Sequence, residues 1–248
     1  SATVLLGIAP WYLVGAAIVA RRGDNVVGWL FVTIGLTWTT GFVASGYADL
    51  PSSEPGPALT WASWYGAWFW IPAIGLPLVL ILVFPTGDVP SPAWRPVLIV
   101  MLVAFSVGVV RFALAETLQA TSAAPEVTNP IGVPGLGRTD FGGEAPILVV
   151  FLGSLTAALV AFVVRFRRSS GVERQQLKWM AYLGTPLLVA GWFVGIWLSE
   201  LGFRLGELIG ALGFAAVPLA AFMAITRSRL YEIDRIFSRT ASWAVVTG

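Results

Sequence analysis

The chain has no cysteine and no histidine, and Lys178 is its single lysine. Without cysteine there can be no disulfide, thiolate nucleophile or thiolate metal site. Without histidine these residues hold no imidazole ligand for zinc or haem and no phospho-accepting histidine. Charge is scarce too. Only 11% of the residues are charged, against roughly a quarter in a soluble domain. No Asp, Glu or Lys falls in the central part of any long apolar run, the depth at which membrane enzymes and transporters keep ionisable groups for function. A Schiff-base lysine in the seventh run is thereby excluded. A phosphate-cradling glycine loop, a zinc-protease helix and a nucleophile elbow are missing as well.

What the chain has instead is hydrocarbon. Hydrophobic residues make up 57% of it and the mean hydropathy is +0.81. Several runs approach or exceed the ~18–20 residues that span a bilayer. The expected fold is all-α, a polytopic transmembrane helical bundle. Complete spans are expected at 3–20, 26–48, 61–84, 97–115, 146–164, 177–198 and 207–226, with an eighth beginning at 241–248. Ser1 and the interrupted last run read as the ends of a fragment. Arg21 and Arg22 follow the first run, whereas a secretory signal carries its positive charges in front. With the N-terminus outside, only Arg111, Arg138 and Arg204 lie at the outer side, leaving twelve of the fifteen bases inside. That asymmetry sets the orientation. Pro72 and Pro77 predict a kink in the third span.

Three places could carry function. In the segment 61–70, Trp61, Trp64, Tyr65 and Trp68 fall at i, i+3, i+4 and i+7 and share one helical face. That face reads either as an interfacial aromatic belt or helix packing, or as a groove sensing a lipid, quinone or peptide. Arg111 near the outer end of the fourth span joins it, as a snorkelling residue or as a partner for an anionic headgroup. Around the fifth and sixth spans, Arg165, Arg167, Arg168, Arg174 and Lys178 form a basic strip at the inner leaflet. Such a strip attracts anionic lipid or simply orients the chain. After the seventh span, 227–240 reads as an amphipathic cytoplasmic connecting segment. Its apolar side has Leu230, Ile233 and Phe237, its polar side Glu232 and Arg235, and Tyr231, Asp234 and Arg239 lie in the same stretch. Glu200, Arg204 and Glu207 are spaced to pair if the outer turn is helical.

Six motifs occur in order: Asn25-Val-Val-Gly-Trp-Leu-Phe, Phe84-Pro-Thr-Gly-Asp-Val-Pro, Trp94-Arg-Pro, Asn129-Pro-Ile-Gly-Val-Pro-Gly135, Glu173-Arg-Gln-Gln-Leu-Lys-Trp179 and Ser228-Arg-Leu-Tyr-Glu-Ile-Asp-Arg-Ile-Phe-Ser-Arg-Thr240. Together they make the chain resemble the multi-spanning N-terminal sensor region of actinobacterial two-component histidine kinases. Some members have this membrane region without a kinase. Val26 and Asp88 depart from the pattern, which has more often proline and a basic residue there. The resemblance implies a membrane input and signal-transmission module in a bacterial cytoplasmic membrane. Its dimerisation and ATP-binding modules would follow in the same chain, with a response regulator downstream and a homodimer as the working form. No cofactor, metal, catalytic residue or nucleic-acid partner is expected for these residues. A stand-alone membrane scaffold without kinase output is the alternative, and a small-molecule transporter the third.

Overall fold

The computed structural model of the chain describes residues 2–50, 56–118, 126–137, 145–203 and 205–225. It is an all-α multi-pass membrane fold, with seven helices among the described residues long and apolar enough to cross a bilayer. They are Thr3–Arg21, Val26–Ala48, Pro57–Val83, Pro92–Ala113, Pro146–Arg168, Gly171–Ser199 and Leu205–Ile225. Six agree with the expected spans to within a few residues. The sixth differs: its helix starts at Gly171, before the expected start at 177. Glu173 in the first turn and Lys178 in the last turn of its opening stretch suit the helix dipole. The segment 227–240 and the eighth run lie outside the described residues.

The chain divides into two compact units, residues 25–165 and residues 1–24 with 166–248. The first contains α2 (Val26–Ala48), α3 (Pro57–Trp68), α4 (Trp70–Val83), α5 (Arg95–Ala113) and most of α6 (Ala145–Arg168). The third span is its core: 61% of its apolar window is buried, against 17% for α6. It is broken at Phe69 into α3 and α4. The cause is Pro72, which offers no N–H to the carbonyl of Trp68 four residues earlier. Helical bonds resume at once, from Phe69 N to Tyr65 O and from Ala73 N to Phe69 O, both 3.0 Å.

Pro77 creates the same deficit at Ala73. There the indole of Trp38, on α2, donates to Ala73 O at 3.1 Å. A side chain of a neighbouring helix thus replaces the N–H that proline lacks, which is how prolines are tolerated in apolar surroundings. Around this point Ile71, Leu78, Leu82, Met101 and Phe105 form the buried core. The ring of Phe105 stacks on Phe151 of α6 at 5.5 Å, and Trp70 meets Phe112 edge-on at 5.3 Å. Gly75 makes room for the Phe105 ring, which a methyl group there would approach to 2.8 Å.

The other unit contains α1 (Ala2–Arg21), α7 (Gly171–Trp179), a π-helical turn at Met180–Gly184, α8 (Thr185–Glu200) and α9 (Leu205–Ile225). α7, the π turn and α8 form one continuous span. Pro186 explains the π turn: its ring crowds the carbonyl four residues back, and widening the helix relieves the clash. Thr185 N accordingly bonds Met180 O, five residues away. α8 reverses into α9 through a turn at Gly202, whose φ is +80°. This turn is not helical, and the side chains of Glu200 and Arg204 lie outside the described residues.

α8 and α9 touch backbone to backbone. A methyl group on Gly191 would stand 2.5 Å from Gly213 Cα, and one on Gly195 would stand 2.9 Å from Gly210 Cα. Between apolar helices in lipid there is little hydrophobic drive, so close van der Waals approach of small residues supplies the attraction. α1 joins α9 in a different way. Pro218 leaves the carbonyl of Phe214 without its usual donor, and Trp11 donates to it at 3.2 Å while stacking on the Phe214 ring at 4.8 Å.

Candidate functional site

The aromatic face of α3 is a chain of edge-on rings: Trp61 on Trp64 at 5.6 Å, Trp64 on Trp68 at 5.2 Å, and Tyr65 on Trp68 at 4.8 Å. Trp61 is 49% exposed, and the other three are half-buried. Two of the rings are fastened to neighbouring helices. The Tyr65 hydroxyl lies 2.7 Å from Thr40 Oγ1 on α2. The Trp64 indole donates to Ala113 O, at the end of α5, at 2.9 Å. Arg111 is half-buried in the last turn of α5, where a positive charge complements the helix dipole.

The C-terminal end of α5 is closed by the segment 126–137. Thr117–Leu118 and Val127–Thr128 form a short antiparallel pair. It leads into Asn129, which is 5% exposed. The Asn129 amide donates to Ala113 O at 2.8 Å and to Ala115 O at 2.7 Å, and its Oδ1 accepts from Ile131 N at 3.2 Å. Val133 N bonds Leu114 O at 2.9 Å, and Asn129 N bonds Glu116 O at 3.0 Å. Every carbonyl from 113 to 116 thus has a donor, which a helix end buried under a loop requires. The glycine of the Asn129-Pro-Ile-Gly motif has a steric reason, since a methyl group on Gly132 would stand 2.8 Å from Ala115 O. Asn25 in the similar Asn25-Val-Val-Gly stretch works at the other kind of helix end, its Oδ1 accepting from Gly28 N at 3.1 Å to cap α2.

The basic strip is not one surface. Arg165, expected in the inner-leaflet basic strip, is 7% exposed and is instead an internal clasp. Its guanidinium donates to Val83 O at 3.0 Å and to Phe84 O at 2.6 Å, and also to Asp88 O. Those carbonyls belong to the Phe84-Pro-Thr-Gly-Asp turn, in which the Phe84–Pro85 peptide is cis and Gly87 has φ +88°. The planar fork of arginine suits several carbonyls held in one place. Because residue 88 takes part through its backbone oxygen, an aspartate there leaves the clasp intact.

The remaining four bases are exposed: Arg167, Arg168, Arg174 and Lys178. Arg174 lies over the Phe166 ring at 5.5 Å, a cation–π contact. Beside the π turn a cleft of about 370 Å³ is lined by Gln175, Lys178, Trp179, Tyr182 and Leu183. The cleft and the burial of Arg165 were not foreseen from the sequence. Pro186 was the available signal for the π turn, and the Phe84-Pro-Thr-Gly turn was the signal that something must hold its carbonyls.

Among the described residues no cluster of three or more acids is placed to hold a metal ion. The segment with Leu230, Tyr231, Glu232, Ile233, Asp234, Arg235, Phe237 and Arg239 lies outside the described residues. Comparison with protein families, curated proteins and solved structures found no match for the chain.

Proposed function

We propose that the chain is the membrane input and signal-transmission module of a two-component sensor histidine kinase in a bacterial cytoplasmic membrane. Its orientation would be N-terminus outside, with twelve of the fifteen bases on the cytoplasmic side. What supports the reading is where the motifs that carry the resemblance to such sensor regions fall. Two of them, Phe84-Pro-Thr-Gly-Asp and Asn129-Pro-Ile-Gly, sit at opposite ends of the 25–165 unit and make its most specific polar contacts. A bundle clasped at both ends moves as a body, which suits a part that relays helix displacement. The kinase module would belong to the same chain, acting as a homodimer on a response regulator.

The experiment is to translate the coding sequence past Gly248 and to assay the resulting chain in vesicles for ATP-dependent self-phosphorylation on histidine. A labelled phosphohistidine is the expected result. A stop codon soon after an eighth span would replace this reading with that of a stand-alone membrane scaffold. Saturable uptake by liposomes holding this chain alone would replace it with transport.

A further inference from the structure

The cleft beside the π turn has the polarity of a lipid in cross-section. Gln175, Lys178, Trp179, Tyr182 and Leu183 are spaced i, i+3, i+4, i+7 and i+8, one stripe along the start of the sixth span. At its water-side end stand an amide and an ammonium. Next come an indole and a phenol, the two side chains that favour the headgroup level of a bilayer. Leu183, at the far end, is apolar. An unbroken α-helix presents such a stripe as a ridge. The π turn at Met180–Gly184 adds a residue to the helical circuit, and Tyr182 stands out from it, 75% exposed.

The chemistry selects an anion. Lysine is a donor only, and the glutamine amide and tyrosine hydroxyl can both donate. Arg174, one turn before Lys178, is exposed, as are Arg167 and Arg168, so the surrounding potential is positive. Glu173 is half-buried in the first turn of α7. A free inorganic anion would use the polar end of the stripe and gain nothing from Trp179, Tyr182 and Leu183. A phospholipid would use both.

We propose that this cleft is a binding site for an anionic membrane phospholipid, with its phosphate at Lys178 and its acyl chain along Tyr182 and Leu183. The proposal goes beyond the sensor reading and does not depend on it.

The test is native mass spectrometry of the full chain in detergent, titrated with phosphatidylglycerol or with phosphatidylcholine of the same acyl chains. One tightly held phosphatidylglycerol per chain is expected. Lys178→Gln should weaken it about tenfold, more than the loss of one diffuse surface charge, and should leave phosphatidylcholine unchanged. Lys178→Arg should retain the preference. Arg167→Gln with Arg168→Gln should lower binding by less than about threefold, as a screened surface effect. If Lys178→Gln binds phosphatidylglycerol like the parent, or the double variant loses as much as Lys178→Gln, the site does not exist. If glycerol phosphate competes at the concentration at which the lipid binds, the ligand is a soluble phosphate and the lipid assignment is overturned.

Discussion

The two units hold their helices together by different means. In residues 25–165 the fasteners are polar side chains delivered to backbone carbonyls: Trp38 to Ala73, Trp64 and Asn129 to Ala113, and Arg165 to Val83 and Phe84. In the other unit α8 and α9 meet through Gly191, Gly195, Gly210 and Gly213 with almost no side chain between them. Both answer one problem, that apolar helices in lipid gain little from burying apolar surface. The proline-rich third span exposes carbonyls that must be satisfied, so it recruits donors. The glycine-rich pair gains by close approach. Trp11 on Phe214 O shows that the donor device recurs at a proline of the second unit, Pro218.

The difference predicts how each unit breaks. The largest effect belongs to the glycine interface. Gly191→Leu would drive a side chain into Gly213 Cα, 2.5 Å from where its Cβ must sit, and should destabilise the protein by about 3 kcal/mol or separate α8 from α9. A thermal melt in detergent measures this. Next comes the clasp. Arg165→Gln removes charged donors from Val83, Phe84 and Asp88, and a loss of about 2 kcal/mol is expected in the same melt. Arg165→Lys should recover less than half, because an ammonium cannot reproduce the fork.

The aromatic face gives the smallest contrast. Trp64→Phe keeps the ring and loses the donor to Ala113 O, and should cost about 1 kcal/mol. Trp61→Phe, at a half-exposed ring, should stay within about 0.5 kcal/mol. Equal costs at the two positions would mean that the Trp64 hydrogen bond contributes nothing. If Trp64→Ala with Trp68→Ala changed stimulus response in the full protein without changing expression, the face would be a ligand groove as well as a brace.

The class of fold was legible because twenty consecutive apolar residues admit few readings, and charge asymmetry supplied an orientation. The third span's kink was legible in its prolines. The partners of those prolines were not, because nothing in the spacing of Trp38 and Pro77 announces that α2 lies against α4. Arg165 was misplaced for a related reason: an arginine at a span's basic end usually snorkels to water, and only the folded Phe84-Pro-Thr-Gly turn shows what draws it inward. The sixth span began earlier than expected because Gln175, Gln176 and Lys178 are polar yet good helix formers, so hydropathy ended before the helix did. Among the site candidates, the i, i+3, i+4, i+7 face of α3 was visible in the sequence, whereas its attachments to Thr40 and Ala113 depend on tertiary neighbours.

The central claim is that tryptophan indoles stand in for the N–H groups that prolines lack. A double-mutant cycle on Trp38 and Pro77 tests it directly, because Pro77→Ala restores a backbone donor to Ala73 O. Trp38→Phe should cost about 1 kcal/mol with Pro77 present, and close to nothing once Pro77 is alanine. The same cost in both backgrounds would contradict the account.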